Sequence, residues 1–146
     1  MPTCEKVESG RLIVREENKR KIVFLNESKL KMKIIEVDGC KITVGQRCDY
    51  LFLYQLNGDE YFVELKGTDI KHACEQLEAT IPQLTTDIRK KKYAFVIGGR
   101  VPPAINPTIQ KLIAMFRRKY NAELIVSNIK YCFDLARNQE IDCSRI

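Results

Sequence analysis

Apolar and polar positions change their spacing about halfway along the chain. Residues Lys21–Leu25 and Met32–Val37 are rich in β-branched and aromatic residues and read as strands. Asp38-Gly39 predicts a tight hairpin leading into a strand over Lys41–Val44. Asp49–Tyr54 and Tyr61–Lys66 flank Asn57-Gly58, the strongest short hairpin signal present. Beyond Gly67 the period lengthens: Ile70, Ala73, Cys74, Leu77 and Ile81 recur at helical spacing, and Pro82 predicts the stop. Tyr93–Ile97 is a short apolar strand ending in Gly98-Gly99. Asn106-Pro107 then supplies an N-cap and a first-turn proline for a helix striped by Ile109, Leu112, Ile113, Phe116 and Tyr120. Glu123–Ser127 and Tyr131–Leu135 complete the series as strands. Strands followed by alternating helices and strands predict one α/β domain over residues 1–146 with a mixed sheet.

The Asn57-Gly58 hairpin carries charges where its strands look interior. A two-residue turn there sets Leu53 opposite Phe62, Leu51 opposite Glu64 and Asp49 opposite Lys66. Side chains alternate between faces, so Asp49, Leu51, Glu64 and Lys66 share one, with Asp49 and Glu64 diagonal neighbours. Tyr50, Phe52, Tyr54, Tyr61, Val63 and Leu65 take the other, as core. Two readings of the charges follow. Asp49 and Lys66 could form a cross-strand ion pair with Glu64 beside it. Alternatively the cluster is a site, since a buried set of two acids and one base is poor stability design.

Composition narrows the field. At 146 residues the chain is long enough for a real core, and its apolar and charged fractions, 45% and 30%, are ordinary for a globular protein. No apolar run approaches a membrane span and MPTCEKVESG does not resemble a signal peptide, so an intracellular, cytoplasmic protein is expected. None of the six cysteines belongs to a C-x-x-C pair, and buried thiols are expected rather than disulfides or zinc. The net charge of +6 leans towards a polyanionic partner. Its blocks are Arg89, Lys90, Lys91 and Lys92, and Arg117, Arg118 and Lys119, each of which reads either as a phosphate contact or as a solvated element end. His72, the only histidine, falls on the polar side of the first helix, and no Walker loop, G-x-S-x-G or H-E-x-x-H is present.

Asp49, then Glu64-Leu65-Lys66 fifteen residues later across a hairpin, then a helix carrying Gln76, resembles the PD-(D/E)XK nuclease superfamily. The likeness runs from Lys31 to Leu135, because the order of elements also fits. It implies a restriction-endonuclease-like fold, as in Holliday-junction resolvases and RecB-type nucleases: a three-layer core with a mixed central sheet flanked by helices, here with extra N-terminal strands. It further implies that Asp49, Glu64 and the Leu65 carbonyl hold Mg2+, for which Mn2+ can substitute. Lys66 would orient or deprotonate the attacking water, and Gln76 would support the metal-site side chains. The expected reaction is hydrolysis of phosphodiester bonds in nucleic acid, DNA foremost, with Arg89 to Lys92 contacting it.

Residues 1–30 lack the amphipathic first helix that carries an additional acid in the superfamily. Asp38, Glu36 or Glu27 could take that place, although Asp38 is also explained as the hairpin residue of Asp38-Gly39. A chain this short leaves no room for a separate recognition domain, so specificity would come from a homodimer, DNA shape or a partner protein. The alternative function is a catalytically inactive nucleic-acid-binding or assembly module that keeps the fold.

Overall fold

The computed structural model of the chain describes residues 3–67, 69–99 and 106–146, leaving aside the side chain of Lys66. These residues form strands β1 (Glu5–Glu8), β2 (Leu12–Glu17), β3 (Arg20–Leu25), β4 (Met32–Glu36), β5 (Tyr50–Tyr54) and β6 (Glu60–Gly67), helix α1 (Ile70–Leu84), strand β7 (Lys92–Gly98), helix α2 (Pro107–Tyr120), and strands β8 (Ala122–Asn128), β9 (Lys130–Asp134) and β10 (Gln139–Glu140). The central sheet has the order β1-β4-β5-β6-β7-β8. Its first four strands pair antiparallel, whereas β6–β7 and β7–β8 are parallel. A second sheet has the order β10-β9-β3-β2.

Parallel neighbours need crossovers, and α1 and α2 provide them. Two successive right-handed crossovers stepping the same way along a sheet must place both helices on the same face. There Ala73, Leu77 and Ile81 of α1 and Phe116 and Tyr120 of α2 bury Leu51, Phe62, Ala94, Val96 and Leu124. The opposite face packs against the second sheet, with Phe24 at the centre of a ring cluster: its centroid lies 4.8 Å from Phe52, 5.5 Å from Tyr61 and 5.8 Å from Phe95. The mixed sheet and both predicted helices are therefore present. Helices flank one face only; on the other, strands take their place.

The two helices begin where the sequence predicts. Asn106 accepts bonds from the backbone of Thr108 and Ile109, with Pro107 at the first helical position. Asp69 caps α1 in the same way. The stop expected near Pro82 is present as well, since α1 ends at Leu84. The proline stands in the last turn, and Thr85 N–H still returns to the Ile81 carbonyl at 2.9 Å.

Two local expectations need correction, and the expected extra N-terminal strands take definite form. The hairpin and strand predicted at Asp38-Gly39 and Lys41–Val44 are instead a compact turn with a single bridge, Asp38 to Ile42. Gly39 has φ of +78° there, and Ile42 N–H bonds the Val37 carbonyl at 2.9 Å. The N-terminal segment adds β1 and β2, beyond the predicted Lys21–Leu25 strand. Finally, four of the cysteines are paired rather than free: Cys4–Cys40 and Cys132–Cys143 are disulfides, leaving Cys48 and Cys74 as buried thiols. Sequence spacing could not reveal those pairs: Cys4 and Cys40 are 36 residues apart and meet only when the chain folds, and Cys132 and Cys143, 11 apart, form no recognisable motif.

Candidate active site

Strand β6 is where the central sheet changes from antiparallel to parallel. Open α/β sheets bind ligands outside the carboxyl ends of their parallel strands. Glu64 lies towards that end of β6, and Asp49 immediately precedes the antiparallel neighbour β5, so both reach the same end of the sheet.

The connection between β5 and β6 is longer than a two-residue turn. Gly58 N–H bonds the Tyr54 carbonyl at 2.7 Å and Tyr54 N–H bonds that of Asp59 at 3.0 Å, enclosing the four residues Gln55 to Gly58. Gly58 supplies the positive φ, +74°, that closes the loop. The resulting register sets Leu51 opposite Phe62 and Tyr50 opposite Val63, two residues from the predicted pairing. A shift of two preserves the faces, whereas a shift of one would have inverted them. Asp49 N–H bonds the Val63 carbonyl at 3.1 Å, although Val63 is already the partner of Tyr50, so the regular pairing ends at Tyr50 and Asp49 stands at an irregular position beside the end of the ladder. Tyr50, Phe52, Tyr54, Tyr61, Val63 and Leu65 all belong to the core between the sheets, as predicted.

Both carboxylates are buried, Asp49 with 4% and Glu64 with 2% of its surface exposed. The β6–β7 ladder is interrupted here: Glu64 pairs with Val96 and Gly67 with Gly98, so β6 carries an extra residue within the Glu64–Gly67 stretch. Bulges of this kind redirect side chains beside functional sites. Leu65 N–H, displaced from regular pairing, donates instead to Asp49 Oδ2 at 2.8 Å. Lys66 continues the strand through its backbone, but its side chain lies outside the described residues.

Helix α1 is fastened to this segment by a buried relay. Cys48 N–H donates to Thr80 Oγ1 at 2.8 Å, and the Thr80 hydroxyl donates to the Gln76 carbonyl at 2.8 Å. Gln76 is half-buried, one helical turn before Thr80. Burial pushes up the pKa of the Cys48 thiol, and the negative charges of Glu64 and Asp49 raise it further. His72 is exposed.

Asp49 opens onto a cleft of about 110 Å³ lined also by Glu17, Glu36, Asp38 and Tyr50. Glu17 accepts a bond from the Tyr50 hydroxyl at 2.9 Å, and Asp38 is paired with Arg47 at 2.8 Å. Asp38 and Glu36, two of the candidate additional acids, thus reach the Asp49 end, whereas Glu27 lines a different cleft beside Asp134. Among the described residues, no three His, Cys, Asp or Glu side chains are grouped so as to hold a metal ion by themselves. The arrangement is two buried carboxylates at one end of the sheet with the Leu65 backbone carbonyl next to Glu64 in sequence, a set of hard oxygen donors that suits a magnesium-type ion.

The basic block is not brought to this end. Arg89 to Lys92 lead into Tyr93, which pairs with Tyr61, while Glu64 pairs with Val96. Four residues of strand separate Lys92 from Val96, about 13 Å. Arg89 and Lys91 are exposed, and Lys91 lies 3.9 Å from Glu123. Lys90 donates to the Gly58 carbonyl in the hairpin loop. Lys92 is fully buried, and its ammonium reaches the carbonyls of Ile88 at 3.1 Å and Tyr120 at 2.8 Å as well as that of Lys90. It caps the end of α2, a structural role.

Thr80, Glu17 and Tyr50 are the site neighbours that sequence reasoning missed. Thr80 carried a usable signal, a polar residue continuing the apolar face of α1 at Ala73 and Leu77. Glu17 carried none, because it comes from the second sheet. No protein-family model, curated protein or solved structure matches this chain.

Proposed function

We propose that the chain is a metal-dependent nuclease of the PD-(D/E)XK type that hydrolyses phosphodiester bonds in nucleic acid, with DNA as the first substrate to test. The observation carrying this reading is the pair of buried carboxylates, Asp49 and Glu64, held at one end of two central strands beside a bulge, with Leu65 N–H bonded to Asp49. The succession β4-β5-β6-α1-β7-α2-β8 supports a restriction-endonuclease-like core. The second sheet then occupies the face where that fold would carry further helices.

In this reading Asp49, Glu64 and the Leu65 carbonyl would hold Mg2+ or Mn2+, which would polarise the phosphoryl oxygen and lower the pKa of water when bound. The chain's own part is preorganisation. The Leu65 N–H bond holds Asp49 Oδ2, and the Thr80 relay holds the backbone one residue before it, so the carboxylates need not reorient as charge develops. Lys66 balances negative charge on the phosphate. Gln76 stands on the helix that the relay anchors. Burial of both acids removes competing water from their inner side.

No described helix is long and apolar enough to cross a membrane. A cytoplasmic setting, where DNA is available, belongs to this reading. There the two disulfides would meet reducing thiols.

The test is cleavage of labelled single- and double-stranded DNA by the purified protein. Mg2+ or Mn2+ supports cleavage, and Ca2+ in their place does not. Asp49→Ala and Glu64→Ala each lower the rate by on the order of 10³-fold or more, with an unchanged circular dichroism spectrum. Cleavage that survives in Glu64→Ala, free of contaminating nuclease, removes the assignment.

A further inference from the structure

The turn between β2 and β3 is built from Asn18 and Lys19, both with positive φ, 49° and 67°. That pair of conformations defines the tight hairpin turn whose twist matches its strands, so the tip is stiff. It is also basic: Lys19, Arg20 and Lys21 follow one another.

The fold brings this tip to the candidate active site. Glu17, at the end of β2, bonds the hydroxyl of Tyr50, the residue after Asp49. Arg20, at the start of β3, reaches the end of β7: a Cβ added to Gly99 would lie 2.7 Å from its Nη2. The space in front of Gly99 is therefore filled by a guanidinium, which the absence of a side chain there permits. The β8–β9 corner closes the same place, since Ile129 N–H bonds the Gly98 carbonyl at 2.8 Å and Lys21 N–H bonds that of Ile129 at 2.7 Å. Lys130 follows at that corner, in register with Lys21.

The cations here differ from those of the Arg89 to Lys92 block. Lys21 is paired with Glu16 at 3.6 Å. Among the described residues, however, Lys19, Arg20 and Lys130 form no ion pair, and Lys19 and Lys130 are exposed. Arg20 is half-buried, so its guanidinium is held rather than freely solvated. Gly98 pairs with Gly67, three residues beyond Glu64 on β6. This sets the basic tip about 10 Å beyond the carboxylates along the strand direction. About three steps of a DNA strand, at roughly 3.4 Å each, span that distance.

We infer that the β2–β3 hairpin tip, through Arg20 and Lys19 with Lys130 beside them, grips the DNA backbone a few nucleotides from the bond to be cut. Arg20 makes a forked contact to one phosphate, and the two lysines neutralise its neighbours. The grip rests on the nuclease reading for its purpose, but binding measures it without turnover.

The test is fluorescence anisotropy of a dye-labelled DNA 20-mer, single-stranded and duplex, titrated with protein in Ca2+ over a series of salt concentrations. Arg20→Ala weakens binding severalfold and lowers the log–log salt slope by close to one unit; Lys19→Ala combined with it lowers the slope by about two. Arg89→Glu with Lys91→Glu changes neither. Circular dichroism checks that each variant is folded, and Arg20→Lys, which keeps the charge without the fork, recovers the slope while remaining weaker. If the wild-type protein binds both DNAs and the Arg20→Ala/Lys19→Ala variant binds them equally well with the same slope, the grip is overturned and the nuclease reading stands. If the wild-type protein binds neither DNA, the nuclease reading itself falls.

Discussion

The two ends of the central sheet both bury charge, and they do so in opposite ways. At the end formed by the hairpin loop and the entry to β7, Glu60 and Lys92 are fully buried and saturated. Glu60 accepts from the hydroxyl of Thr85 at 2.6 Å and from the backbone and hydroxyl of Thr86 at 3.0 and 2.9 Å. Lys92 spends its ammonium on backbone carbonyls, among them Tyr120 at the end of α2, where positive charge also complements the helix dipole. At the other end Asp49 and Glu64 are both buried, and the cleft beside Asp49 gathers three more carboxylates, Glu17, Glu36 and Asp38. The first arrangement satisfies each charge with local donors or acceptors. The second concentrates like charges, which lowers stability and is worthwhile only if a cation or a reaction uses them.

Stability measurements should separate the ends most clearly. Lys92→Ala leaves buried carbonyls without their donor and is expected to cost about 3 kcal/mol or more, read from urea unfolding midpoints. Asp49→Asn keeps an acceptor for Leu65 N–H and removes one of several like charges, so its effect is expected to stay within about 1 kcal/mol. If Asp49→Asn proves as damaging as Lys92→Ala, both ends are structural and the contrast disappears.

The disulfides give the next effect in size. Cys4–Cys40 encloses a sequence separation of 36 residues and Cys132–Cys143 one of 11, so loop entropy assigns them about 4 and about 3 kcal/mol. Cys40 follows the turn that carries Asp38, at the acidic end. Cys4→Ser with Cys40→Ser should speed hydrogen exchange over residues 37–48 while the Phe24 core stays protected. Uniform loss of protection would show that the turn at the acidic end is not an independent unit.

Thiol reactivity is the smallest effect and the simplest to measure. Burial raises the pKa of Cys48, and that of Cys74 to about 12, with Glu78 and Glu75 adding to the latter. A raised pKa keeps a thiol protonated, so at pH 8 neither should react with Ellman's reagent in the folded protein. Unfolding without reductant should expose two thiols, and full reduction six. Six after unfolding alone would mean that the disulfides are absent from the isolated protein.

Much of this was legible in the sequence because it depends on short-range rules. Strand faces follow from alternation alone, so a two-residue and a four-residue loop at Asn57-Gly58 predict the same faces for β5 and β6. The start of α2 follows from Asn106 and Pro107, whose effects act within one helical turn. What only the tertiary structure decided is long-range: the bond from Leu65 N–H to the Asp49 carboxylate, the reach of Thr80 to Cys48, the meeting of Cys4 with Cys40, and the placement of the basic residues. Lys92 stands at the end remote from Glu64 because β7 runs parallel to β6 and is therefore entered from the opposite end. Arg20 stands near the site because the second sheet packs over the first, a choice made by the aromatic core around Phe24 that no local pattern in residues 17–21 records.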